Sequence, residues 1–295
     1  MRYLILSLCF LIETFSAFTQ PRKQFYDEYQ KRLEDTVNNK YGNNTKAGNY
    51  YDVRGIKMYV EVYGQGEPLV LLHGNNQSIR NYSYQIDYFK KDYKVIAVDT
   101  RGWGKTVDLG DSMSFEMMAD DMAALLKHMK IDSANIIGWS DGGVCGLLLA
   151  IRHPETVKKL AITGANTQPD SSAIYPELHH LIENAYNQLK SSDYNPPNKK
   201  NILRHIEKEL NQPHISKEEL HSISCPTLVI GGDQDVIRPE HTLYIFNNIP
   251  KANLWILPNS GHYTPAAFAD DFNMNVKRFF SRTDYDKFNM ENRMF

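Results

Sequence analysis

Cysteine is scarce in this chain, three residues in 295. That scarcity excludes a disulfide-dense scaffold, and without a CxxC pair or a Cys/His spacing it also excludes a cysteine-based metal centre. Charge of one sign is lacking too: 33 Lys and Arg stand against 35 Asp and Glu. Such a balance gives no basic surface for tracking nucleic-acid phosphates, so small neutral or weakly charged molecules are the expected partners. Long apolar runs are missing as well. The one at the N-terminus, in "MRYLILSLCFLIETFSAFTQ", is shorter than the roughly 20 residues a membrane span needs, and Glu13 interrupts it. No stable membrane insertion is expected, and no internal repeat or low-complexity tract is present.

What is there begins with that same segment. Arg2, an apolar run, then the small residues Ser16, Ala17 and Thr19 follow the order of a secretory signal, so residues 1–19 are set aside as an export signal and the protein is expected to be secreted or periplasmic. Residues 20–49 are polar and charged and read as a linker or loosely docked helix. "IKMYVEVYG" (56–64) alternates with period two and reads as a half-buried antiparallel strand. Six later runs, "PLVLLHG", "YKVIAVD", "ANIIGWS", "KLAITGA", "PTLVIGGD" and "ANLWILP", are short and continuously apolar, as parallel strands covered on both faces are. Segments of helical spacing lie between them, at 82–89, 115–129 and 144–151. The alternation predicts an α/β fold with a mostly parallel central sheet flanked by helices.

Two core parts are expected, 50–165 and 223–282, separated by a helical cap at 166–222 and followed by a polar tail at 283–295. In the cap, helices are predicted near 172–189 and 200–210, joined by the loop "SSDYNPPNKK". An insert at the carboxyl edge of a sheet is naturally a lid over a cleft. The His179-His180 pair and the His205/Glu209 spacing are explained by solvated helix faces, and no metal is expected because no third ligand is placed by the pattern.

In "IIGWSDGGV" (136–144) a serine lies between small residues after an apolar run. A bare G-x-S-x-G arises by chance in roughly one chain in ten of this length. Here, however, a strand precedes Ser140 and a helix follows it, which is the setting of a nucleophile elbow. A serine hydroxyl needs a base, and the base needs a third group to fix its tautomer. Both follow in order: Asp233 and Asp235 after "PTLVIGG", then His262 after "ANLWILPNSG". An anion site is supplied by "LVLLHGNNQS", with the N–H groups of Asn75 and Asp141 as the expected oxyanion donors. His73 reads as a structural residue of that loop.

Taken together, "HGNNQS", "DTRGWGKT", "GWSDGG" with "GGDQDVIRP", and "NSGHYTP" resemble the serine-type α/β-hydrolases over about residues 50–280. The resemblance maps the acid onto Asp235 in preference to Asp233 and implies a cofactor-free Ser140, His262, Asp235 triad that cleaves a small carboxylic ester. An amidase, aminopeptidase or C–C hydrolase with the same triad is the within-class alternative, and a non-catalytic ligand-binding protein the alternative outside it. Departures lie at Trp103 and Thr106 of "DTRGWGKT", where they bear on cleft shape. "GWSDGG" is also similar to the elbow of valacyclovir hydrolase-like esterases, which implies that the Asp141 side chain receives a substrate ammonium; the other reading is a helix cap. Trp139 and Asn76 are further candidates for touching substrate, an ester or amide of small size.

Overall fold

The computed structural model of the chain describes residues 30–283 except position 33. The export segment at 1–19 and residues 284–295 of the tail lie outside the described residues. Eight strands form one sheet: β1 (Gly48–Val53), β2 (Ile56–Tyr63), β3 (Glu67–Leu72), β4 (Tyr93–Val98), β5 (Ala134–Trp139), β6 (Val157–Thr163), β7 (Thr227–Gly232) and β8 (Ala252–Leu257). Their spatial order is β1-β2-β4-β3-β5-β6-β7-β8. The pairs β1/β2 and β2/β4 are antiparallel and all the others parallel.

The six continuous apolar runs form the six parallel strands because burial on both faces leaves no room for polar alternation. β5 and β7 are buried at every position. One face carries α2 (Phe115–His128) and α3 (Asp141–Arg152), whose apolar stripes join Val60, Leu72, Ile136 and Ile162 in one core. On the other, α1 (Ser83–Phe89) and, at the far end of the chain, residues Phe272, Val276 and Phe280 pack over Leu71, Ile137 and Ile230. Removing that much apolar surface from water at about 25 cal/mol per Å² is what holds helices to sheet.

Differences from the sequence reading cluster where polar residues form regular structure. β1 falls partly in the segment read as a linker: "GNYYDV" is an edge strand, mostly solvated, so it carries no apolar run. Between β6 and β7 the chain forms α4 (Pro176–Ser191), α5 (Lys199–Asn211) and a short α6 (Lys217–Ser222), the last held by a capping box between Ser216 and Glu219. α7 (Pro239–Asn248), α8 (Thr264–Ala267) and α9 (Ala269–Ser281) complete the chain. Cys145 and Cys225 are both buried and both free thiols, and burial pushes the Cys225 thiol up to about 11. Among the described residues no helix is long and apolar enough to cross a membrane.

Candidate active site

Because β3, β5, β6, β7 and β8 run parallel and side by side, the residues just beyond their carboxyl ends are brought to one edge of the sheet. Ser140 follows β5 with φ of 56° and ψ of −119°, a left-handed backbone for a residue with a Cβ, which turns the chain sharply from strand into α3. Such a conformation costs on the order of 1–3 kcal/mol and persists only where the surroundings impose it. Here glycines let the backbones close in. A Cβ on Gly142 would stand 1.8 Å from the Leu72 carbonyl oxygen, and one on Gly138 would stand 2.2 Å from the Gly142 carbonyl oxygen. The first turn of α3 is thereby pressed against the end of β3, with Gly74 alongside Ser140.

The Ser140 hydroxyl lies 3.0 Å from His262 Nε2, and His262 Nδ1 lies 2.7 Å from Asp235 Oδ1. With Nδ1–H donating to the carboxylate, Nε2 is the acceptor for the serine proton. Asp235 is buried and its Oδ1 also accepts from the Ile237 N–H at 3.1 Å, which helps to fix the carboxylate. Asp233, the other acid weighed, is exposed and accepts from the Ser260 N–H at 3.3 Å. It belongs to the loop, not to the relay. Burial works to lower the His262 pKa, but the charge of Asp235 and the hydrogen bond to it, with Asp141 adding, outweigh burial and hold it above the ordinary histidine value.

Asn75 lines the cleft beside Ser140, and its side-chain oxygen is buried with no protein partner among the described residues. Asp141 is the first residue of α3, so helix geometry leaves its N–H without an intrahelical acceptor. The loop carrying Asn75 is held from behind. His73 donates from Nδ1 to the Gly74 carbonyl at 2.8 Å and accepts the Thr100 N–H at Nε2 at 3.0 Å, and burial keeps its pKa low. His73 is structural, as read from the sequence. Asp99 accepts from the N–H groups of Ile79 and Lys105, both at 2.8 Å, tying the same loop to "DTRGWGKT".

Two expectations are corrected. Trp139 does not face the cleft: it is fully buried, its Nε1–H donates to the His262 carbonyl at 2.8 Å, and its ring meets Tyr263 edge-on at 5.2 Å. Its position in a strand buried on both faces takes the indole away from substrate and under the histidine loop. The Asp141 side chain is neither a helix cap nor an open anion, because the N-cap position is held by Ser140 and the carboxylate is paired to Lys208. Thr106 is anchored inside the fold, accepting from the Tyr59 N–H at 2.9 Å and donating to the Asp99 carbonyl at 2.6 Å, and with Trp103 it lines a cavity, where both departures bear on cleft shape. Trp103 stacks on the buried His205 at 4.3 Å, and burial drives that imidazole down to about 2. Asn76, at φ 54°, lines the cleft. Lys208 is the residue that sequence reasoning missed, and the solvated-face reading of the His205/Glu209 spacing is corrected with it, since His205 is buried and Glu209 lines the cleft. On an amphipathic helix rich in Lys and Glu such residues look solvated, and no pattern in the sequence marks Lys208.

One cavity opens on the serine, and a second shares part of its lining. The smaller, about 130 Å³, is bounded by Ser140, His262 and Glu209 and by the apolar side chains of Ile174, Leu178, Leu181, Ile182, Ile206 and Ile237. The larger, about 1350 Å³, shares Asn75, Asn76, Gln77 and Tyr263 with it and has a mixed lining, with Asn81, Asn198, Asn201 and Arg204 beside the apolar Trp103, Val107 and Leu109. His179, His180 and Glu183 bring their ligand atoms within 4.8 Å of one another on α4, with His180 and Glu183 exposed.

The family model described as the alpha/beta hydrolase fold matches residues 67–216, which spans the loop after β3, the turn at Ser140 and most of the helical insert. The chain belongs to the α/β-hydrolase family. Relatives of this α/β-hydrolase include mouse (Mus musculus) Serine hydrolase BPHL, 27% identical over 246 residues that make up 77% of this chain and 84% of the mouse protein. Another is the 2-hydroxy-6-oxo-6-(2'-aminophenyl)hexa-2,4-dienoic acid hydrolase of Metapseudomonas resinovorans, 25% identical over 76% of this chain and 87% of its own. Among solved structures, Est816, described as an N-acyl homoserine lactone degrading enzyme, superposes with a TM-score of 0.64 at 26% identity, over 78% of this chain and the whole of its own. The protein is a hydrolase of this fold.

Proposed function

We propose that this hydrolase cleaves a small carboxylic ester through an acyl-enzyme, with Ser140 as nucleophile, His262 as general base and acid, and Asp235 as the group that orients and stabilises the imidazole. The observation that carries the reading is the unbroken relay from Asp235 through His262 to a serine held on a strained turn. Ser140 Oγ attacks the ester carbon as its proton passes to His262 Nε2, and the N–H groups of Asn75 and Asp141 receive the oxyanion. The imidazolium then returns that proton to the departing alkoxide, releasing the alcohol. Water, deprotonated by the same nitrogen, attacks the acyl-enzyme, and the acid leaves with Ser140 restored.

The helical cap, 166–222, closes the smaller cavity with aliphatic side chains, which suits a short apolar acyl group, while the larger cavity, of mixed polar and apolar lining, takes the alcohol half. The relatives, a serine hydrolase and a dienoic acid hydrolase, agree with hydrolysis as the reaction class. Export led by residues 1–19 belongs to the same proposal, and no cofactor enters it.

The test is covalent labelling of the folded protein with a fluorophosphonate, read by peptide mass spectrometry. One adduct on Ser140, lost on heating the protein beforehand, is expected; an unlabelled Ser140 in folded protein sinks the reading. A second expectation concerns pH. The base must be neutral to act, and the His262 pKa is raised, so kcat/KM for a p-nitrophenyl ester should fall on the acid side with a midpoint above the free-histidine value of about 6.5. A midpoint clearly below that value would mean that another group supplies the base.

A further inference from the structure

Two buried polar atoms near the cleft have no partner among the described residues: the side-chain oxygen of Asn75, an acceptor, and the Nε1–H of Trp103, a donor. Both residues line the larger cavity, and Asn75 lines the smaller one with Ser140 as well. A buried donor or acceptor left unpaired costs free energy that a ligand group recovers when it takes the place of the missing partner. The same lining is rich in carboxamides, with Asn76, Gln77, Asn81, Asn198 and Asn201 besides Asn75. Two of them are fixed through their oxygens. Gln77 Oε1 accepts the Gly74 N–H at 2.8 Å and Asn81 Oδ1 accepts the Ser78 N–H at 3.0 Å, so each keeps an NH₂ group to donate. Ionic groups in the lining are balanced: Arg204 is paired with Asp108 at 3.1 Å and Lys200 with Asp111, and Arg80 and Glu34 are opposite in sign.

The cavity therefore offers several donors, a buried acceptor and apolar side chains, without unbalanced charge. A hydroxyl group answers both polar needs at one atom, since its O–H gives to an acceptor while its lone pairs take from a donor. A ring bearing several hydroxyls around apolar C–H faces also suits the mixed wall, where Val107 and Leu109 stand with the carboxamides. We propose that the larger cavity is a subsite for a polyhydroxylated alcohol, a sugar or sugar-like polyol, with Trp103 and Asn75 as its specificity-determining side chains. Asn75 joins the two halves of the site: its side-chain oxygen takes a hydroxyl of the alcohol, and its backbone N–H is the oxyanion donor proposed at Ser140. Trp103 contributes its indole N–H in addition to its shape. The proposal rests on the acyl-enzyme reading above and names the class of alcohol released in its first step.

A matched pair of butyrates tests it: 1,5-anhydro-6-O-butyryl-D-glucitol and (tetrahydropyran-2-yl)methyl butyrate, the same ring and ester with and without hydroxyls. Release of butyric acid is followed at fixed pH, and each kcat/KM is divided by that ester's own hydroxide-catalysed rate. The native enzyme is expected to favour the hydroxylated ester by at least roughly tenfold, because a site built to hydrogen-bond a hydroxyl rejects the analogue lacking it. A ratio near unity, or a preference for the bare ring, overturns the proposal, as does an enzyme that labels at Ser140 and takes neither ester. Trp103→Phe keeps an aromatic ring beside His205 and removes the N–H, and it is expected to lower the preference by about tenfold, the worth of one hydrogen bond. An unchanged preference in a variant that melts cooperatively and still takes the fluorophosphonate overturns it equally. If that variant does not fold, the ratio of the native enzyme decides alone. Failure of the acyl-enzyme reading shows separately, as a Ser140 that never labels.

Discussion

Ser140→Ala is expected to lower kcat for a p-nitrophenyl ester by about 10⁶-fold, to the residual rate that oxyanion donors and substrate binding sustain alone. The size follows from what is lost. Without Oγ there is no acyl-enzyme, and His262 is left holding a proton acceptor with no nucleophile between it and the ester. The backbone that shapes the turn survives the change: Ser140 N–H still donates to the Thr163 carbonyl at 2.9 Å, and the Ser140 carbonyl still accepts from Gly143 at 2.7 Å and Val144 at 3.0 Å. Alanine meets the same left-handed φ as serine, so the melting temperature should move little. Ser140→Gly is equally inactive but is free of the Cβ strain, and it is expected to melt higher, by the equivalent of about 1 kcal/mol. Steady-state rates with a thermal melt of both variants check this. An alanine variant within tenfold of the native rate would put the chemistry on another residue.

How much of this was legible in advance depends on which residues face what. The parallel strands announce themselves because both faces are covered, and the runs "IIGW" and "LVIGG" have no polar position to confuse the pattern. The order of serine, acid and histidine along the chain is visible for the same reason, since each follows such a run. β1 was hidden: an edge strand paired on one side and solvated elsewhere keeps a polar composition that reads as linker. The inner face of α5 was hidden for the opposite reason. Arg204, His205 and Lys208 are buried there, so the rule that a helix turns its apolar stripe inward fails. Only partners distant in sequence explain the inversion: Arg204 is paired with Asp108 at 3.1 Å, and Lys208 with Asp141. Trp139 misled because its place beside the serine suggested substrate, whereas strand alternation turns its side chain to the opposite face from the hydroxyl's surroundings. A local pattern names residues next to the chemistry; the sheet decides which of them look into the cleft.

Asp235→Asn separates the two acids and is expected to lower kcat by roughly 10⁴-fold, whereas Asp233→Asn should stay within a few-fold of the native rate. The asymmetry is geometric. Asp233 is exposed and serves one backbone N–H, a duty an asparagine oxygen can keep. Asp235 is buried between the Ile237 N–H and His262 Nδ1, where the carboxylate both selects the tautomer and balances the imidazolium formed as Ser140 attacks. An amide placed there removes the charge, and if its NH₂ group turns to the ring it also stabilises the tautomer whose Nε2 carries a proton and cannot accept one from serine. The pH profile gives a reading that a purely structural lesion would not. Asp235 is the main influence raising the His262 pKa, and burial opposes it. With the charge gone burial prevails, so the acid limb of the residual kcat/KM should move to lower pH than in the native enzyme. A variant that loses rate with its acid limb unmoved would place the carboxylate in the scaffold, and the proton relay would then need a different third member.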